Sequence, residues 1–191
     1  MAKHVHNRTS RHRGFTIVEL LVVVIILGVL AAVVTPGLQS ADPEKVSLAA
    51  SQVAEALRFA RSEAMRTGNI HSVRVQHDNE TITVEKTNLA IEPVNAESIL
   101  YHPVTKQSYT FDVSAGSATR GVEVNDNLDV FQYAGLGRRQ RVLFDALGVP
   151  IFMKPIAGET YHLTNGHIKL GLDDRQVSVF VQPYTGRVTV Q

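Results

Sequence analysis

The chain changes its hydrophobic rhythm twice. Phe15 to Leu38 is an almost unbroken apolar run of 24 residues, in which Thr16, Glu19, Thr35 and Pro36 are the main departures and Leu20 to Val34 carries no polar side chain. As a helix rising about 1.5 Å per residue, the run spans roughly 36 Å, enough for a hydrocarbon core of about 30 Å. Asp42, Pro43 and Glu44 then read as a helix restart, with a cap, a proline at the first helical position and an acid in the first turn. Val46, Ala50, Val53, Leu57, Ala60 and Ala64 follow at spacings of 4, 3, 4, 3 and 4, one face of an α-helix, and Thr67-Gly68-Asn69 supplies a stop. This pattern predicts one long helix from Phe15 to about Thr67, apolar all round in its first half and packed through one stripe in its second.

Beyond Gly68 the period becomes two. Strands are predicted at Ser72–Gln76, Thr81–Lys86, Ser98–Tyr101, Ser108–Val113, Val122–Val124, Leu128–Tyr133, Arg141–Phe144, Ile151–Met153, His167–Leu170, Val177–Val181 and Arg187–Val190. Turn formers separate them at Asp78-Asn79, Ala115-Gly116, Gly135 to Gly137, Leu147-Gly148, Asn165-Gly166 and Pro183 to Gly186. Many short strands without an intervening helical pattern argue an antiparallel sheet. The expected class is α+β, a long N-terminal helix with a transmembrane first half, packed on an antiparallel β-sandwich-like domain. The domains expected are a leader at 1–14, a transmembrane helix at 15–38, its amphipathic continuation at 39–67 and a β-rich globular domain at 68–191.

Charge gives the run a direction. Lys3, Arg8, Arg11 and Arg13 make residues 1–14 +4, while the remainder has 15 basic and 18 acidic residues, a net charge of −3. Positive flanks resist translocation, so the leader is expected on the cytoplasmic side and the body across the membrane. The absence of cysteine excludes disulfides, thiolate catalysis and cysteine-ligated zinc.

Glu19 is the anomaly within the run. A carboxylate at the centre of a spanning helix costs about 2.5–3.5 kcal/mol on insertion scales, and less near an end, so such a residue points to function. Cleavage after Gly14 would give Phe15 a new positive amine four residues upstream, on the same side of the helix. The amine of a neighbouring parallel helix would serve equally well. A plain signal peptide is the rival, but Leu20 to Val34 is long for a signal core, and Gln39-Ser40-Ala41 is a poor small-residue cleavage site.

Gly14-Phe15-Thr16-Ile17-Val18-Glu19-Leu20-Leu21 resembles the cleavage and methylation motif of type IV prepilins and type II secretion pseudopilins. The resemblance implies cleavage between Gly14 and Phe15 by prepilin peptidase, N-methylation of Phe15 and a role for Glu19 in assembly. Pro36, twenty-one residues after Phe15, matches the helix-kinking proline usual in these proteins. In the body, Arg58 to Ala64, Phe144 to Pro150 and Pro183 to Val188 look like the GspH and FimT branch of minor pseudopilins and minor pilins. The implied protein is a non-enzymatic filament subunit of the bacterial inner membrane, single pass, with its C-terminal domain in the periplasm. Its partners would be other pseudopilins or pilins through the N-terminal helix, the processing peptidase and methyltransferase, and exported cargo. A minor type IV pilin serving pilus assembly or DNA uptake is the alternative, followed by a periplasmic binding domain behind a plain signal sequence.

The body offers little chemistry of its own. Its histidines are His71, His77, His102, His162 and His167, with no H-E-x-x-H pair, and no phosphate loop, dinucleotide fingerprint or nucleophile elbow is present. No cofactor is expected. His162 and His167 would meet across a hairpin at Asn165-Gly166, a zinc arrangement weighed against ordinary surface histidines. Asn125, Asn127 and Asp129 place oxygens at alternate positions, as a calcium loop does. Leu136 stands where such a loop needs its last glutamate, which favours a solvated turn. Arg138, Arg139 and Arg141 beside Gly135 to Gly137 are candidate phosphate contacts, but the acidic body and alternating strand faces favour a solvated or salt-bridged turn and disfavour nucleic acid.

Overall fold

The computed structural model describes residues 16–34, 41–76, 80–88, 95–124, 130–154 and 158–191. The chain divides into two compact units, Met1–Ser40 and Ala41–Gln191. In the first, helix α1 runs Ile17–Val34. Its 18 residues rise about 27 Å against a hydrocarbon core of about 30 Å. Among the described residues no helix is long and apolar enough to cross a membrane. Gly14, Phe15 and Pro36 lie outside the described residues, as do Asn125, Asn127 and Asp129. The single helix predicted from Phe15 to Thr67 runs through residues 35–40, which lie outside the described residues.

The second unit opens with α2, Ala41–Thr67, which Gly68 ends at φ +70 with its N–H donating to the Ala64 carbonyl at 2.9 Å. Twelve strands follow among the described residues. They are β1 His71–Gln76, β2 Thr81–Asn88, β3 Asn95–Ile99, β4 Thr110–Asp112, β5 Glu123–Val124 and β6 Phe131–Tyr133, then β7 Gly137–Arg139, β8 Arg141–Phe144, β9 Pro150–Met153, β10 Thr160–Leu172, β11 Arg175–Val181 and β12 Val188–Val190. They join in one hydrogen-bonded network ordered β12-β11-β10-β9-β8-β1-β2-β3, with β4 on β2, β5 and β6 on β10, and β7 on β6. Every described pairing is antiparallel.

Helix against sheet makes the core. Val46, Ala49, Ala50, Val53, Ala54, Ala56, Leu57, Ala60 and Ala64 of α2 are all fully buried, a broader face than the predicted stripe. This face lies on β1, β2, β8, β10, β11 and β12. Cross-strand pairs Val73↔Val84 and Val75↔Ile82 point into the same cluster, as strand alternation requires. Six alanines in the buried face let the helix approach the sheet closely. Its flank is tied down by Arg58, whose Nη2 donates to the Val188 carbonyl at 3.2 Å, and by Arg61, whose Nε donates to the Gly148 carbonyl at 3.2 Å.

Two sequence expectations change here. Asn165-Gly166 is no turn: β10 runs through it with a register shift between Leu163 and Asn165, and the chain reverses at Asp173, φ +52. Gly166 is needed for close approach, because a Cβ there would lie 2.9 Å from the Val181 Cβ and 3.0 Å from Leu163 Cδ2. The segment after Gly135 is a short strand, β7, pairing Arg139 with Phe131 and Arg138 with Gln132.

Candidate functional site

At the start of α1 the Glu19 N–H donates to Thr16 Oγ1 at 3.3 Å and the Leu20 N–H to the Thr16 carbonyl at 3.2 Å. Thr16 is therefore the N-cap and Glu19 the third helical residue, the two positions of a capping box. A carboxylate in this first turn also meets the positive end of the helix dipole. The T-x-x-E spacing was available in the sequence as this signal, and it gives Glu19 a local role besides any partner amine. From Ile17 to Val29 the large aliphatic side chains are 47–85% exposed, on every side of the helix. A helix apolar all round satisfies that surface only in a lipid or protein environment.

The three candidate phosphate-binding arginines are not brought to one surface. Arg138 is exposed on β7. Arg139 lies 5.8 Å from the centroid of the Phe152 ring, and its Nη1 donates to the Arg138 carbonyl at 2.7 Å. Arg141, at the start of β8, turns inward with an 11% exposed side chain, its Nη2 2.9 Å from Glu85 Oε2. Arg74 of β1 approaches the other oxygen of Glu85 at 3.0 Å. Burial pushes the Arg141 guanidinium below its ordinary range, against the opposing pull of the Glu85 charge. Arg141 is thus part of an ion triad, buried at Glu85 and Arg141 and open to solvent at Arg74, holding β1, β2 and β8 together. No linear spacing announces this triad, because its members meet only through strand register.

The histidine pair is corrected as well. His162 and His167 sit on the same strand, β10, so no hairpin brings them together. The His162 ring lies 6.1 Å from that of Tyr184, and the His167 ring stacks on Phe180 at 4.4 Å. No group of three metal-ligating side chains occurs among the described residues. His71 is buried, with Nδ1 3.0 Å from the Asn69 carbonyl, and burial pushes its pKa below the usual histidine value.

Residues 9–35 match the prokaryotic N-terminal methylation motif. Solved structures resemble the chain at low identity. The minor pseudopilin EpsH from the type 2 secretion system of Vibrio cholerae is 14% identical, with 77% of this chain and 96% of that one covered and a TM-score of 0.49. The type IV minor pilin FimU of Pseudomonas aeruginosa PAO1 is 12% identical, with 76% and 87% covered and a TM-score of 0.46. No curated protein matches the chain.

Proposed function

We propose that the chain is a minor pseudopilin, a structural subunit of a type II secretion pseudopilus and not a catalyst. The observation that supports a filament subunit is the match to the methylation motif over residues 9–35, a span that contains Gly14, Phe15 and Glu19. In this account residues 15–38 hold the subunit in the bacterial inner membrane in a single pass, and the β-rich body lies in the periplasm. Prepilin peptidase removes residues 1–14, the Phe15 amine is methylated, and Glu19 pairs with that amine or a neighbour's as the helix enters the filament. A paired buried charge is penalised far less than a lone one, so the pairing fixes axial register between subunits. Pro36 supplies a kink between the membrane part and α2, and the body contacts neighbouring subunits or exported cargo.

Deletion should abolish exoprotein secretion while leaving piliation and transformation intact; the reverse phenotype would assign the chain to a type IV pilus instead. Two variants separate the local role of Glu19 from its charge. Glu19→Gln keeps a residue type that serves the capping box but carries no charge. Both Glu19→Ala and Glu19→Gln should insert and be cleaved normally, yet incorporate poorly into sheared filaments. Normal incorporation of Glu19→Gln would reduce the carboxylate to a helix cap.

A further inference from the structure

We infer that the groove between α2 and the 102–119 segment is a binding site for a neutral carbohydrate. This inference does not depend on the filament reading. The groove encloses about 440 Å³, within the range of about 300–1,000 Å³ typical of small-molecule clefts. Gln52 and Glu55 face it from one turn of α2, both exposed. The lining also includes five hydroxyl residues, Thr105, Ser108, Thr110, Ser117 and Thr119, of which Thr110 donates to Thr83 Oγ1 at 3.5 Å.

Tyr109 forms the inner wall. It is only 5% exposed, packed against the rings of Phe59 at 5.3 Å, His102 at 4.7 Å and Phe111 at 6.2 Å. Among the described residues nothing hydrogen-bonds its hydroxyl. The ring is nearly buried but its oxygen is not among the buried unpartnered polar atoms, so the hydroxyl opens into the groove, where it can both donate and accept. Burial, assisted by the nearby Glu55 charge, pushes its pKa up to about 12, so the proton stays on. His102 is oriented too. Its Nδ1 accepts the N–H groups of Val104 and Thr105, both at 3.2 Å, which leaves Nε2 to carry the proton of the neutral ring as a donor.

The charges decide the class of ligand. The lining contains no lysine or arginine, which disfavours phosphate, sulfate and nucleic acid. Of its two carboxylates, Asp112 is already engaged: its Oδ1 accepts from the Ser114 N–H at 2.7 Å, the Ser114 hydroxyl at 2.8 Å and the Ala115 N–H at 3.0 Å. Glu55 alone is a poor cation site. What remains is a dense mixture of hydroxyl, amide and carboxylate groups beside aromatic edges. A sugar matches it, because every sugar hydroxyl both donates and accepts while its C–H faces pack on rings.

The test uses the full-length chain in lipid nanodiscs, which avoids sugar-headed detergents, titrated with cellobiose, maltose and N,N′-diacetylchitobiose by calorimetry and amide chemical-shift mapping. At least one disaccharide should bind saturably, with shifts concentrated in residues 102–119 and on α2 around Gln52. Tyr109→Phe, which removes only the unpartnered hydroxyl, and Glu55→Gln should each weaken binding by about tenfold without changing the melting temperature. Absence of saturable binding to all three sugars, or binding that both variants leave unchanged, would overturn the inference. Glu55-dependent binding of a trilysine peptide in place of the sugars would overturn it equally, assigning the groove to a basic protein segment.

Discussion

Gly186 shows how much a single position decides. Its φ is +65, and a Cβ there would overlap the Gly148 carbonyl oxygen and lie 3.0 Å from Arg61 Nε. Gly148 is itself at φ +76 and accepts the Arg61 hydrogen bond, so two turns and the flank of α2 meet where only glycine fits. Left-handed backbone alone costs an L-residue about 1–2 kcal/mol, and the overlap adds to it. Gly186→Ala should destabilise the body by about 2–4 kcal/mol, lowering its melting temperature by roughly 4–16 °C; a shift under about 1 °C would show that the junction yields freely. His71 predicts a pH dependence. Its folded pKa is pushed by burial below the ordinary histidine value of about 6.5, so on acidification the unfolded chain takes up the proton first. Its contribution to stability is held above about pH 6.5 and lost as the pH falls through the folded-state value. Urea unfolding between pH 7.5 and 5 should show stability falling with pH, and His71→Gln should flatten that decline. An equal slope in both proteins would place the proton uptake elsewhere.

Among the elements, α2 was the most legible in the sequence. Its buried positions recur at helical spacing because one face must meet a sheet, and that constraint is written residue by residue. The face is built largely of alanine, so its closeness to the strands is set by small size. Ala60→Leu should therefore cost about 1–3 kcal/mol through overpacking, read as a lower urea midpoint at unchanged slope, whereas an unchanged midpoint would mean slack between helix and sheet. The strands were legible where alternation is strict, as in β1, β2 and β11. They were misread where glycine signals competed. Asn165-Gly166 has a turn's chemistry, yet Gly166 serves the close approach of Val181, a contact 15 residues away in sequence. β7 was hidden for a related reason, its Gly137 at φ +82 marking the edge of a hairpin whose arginines then follow strand register. The ion triad and the Tyr109 groove depend on which strands become neighbours, and topology of that kind leaves no local signature.

For the whole molecule, the proposed function rests on the N-terminal segment. The carboxylate at position 19, the cap at Thr16 and the apolar, uncovered face of α1 are one device in this account: a helix that begins cleanly, holds a charge at its start and offers hydrophobic surface along its length. Cleavage before Phe15 completes it by supplying the amine. Intact mass spectrometry with N-terminal sequencing of the membrane-extracted protein tests this most directly. The account predicts a mature chain of residues 15–191 beginning with N-methylated phenylalanine. A mature chain beginning beyond the apolar run, for example at Asp42, would contradict it.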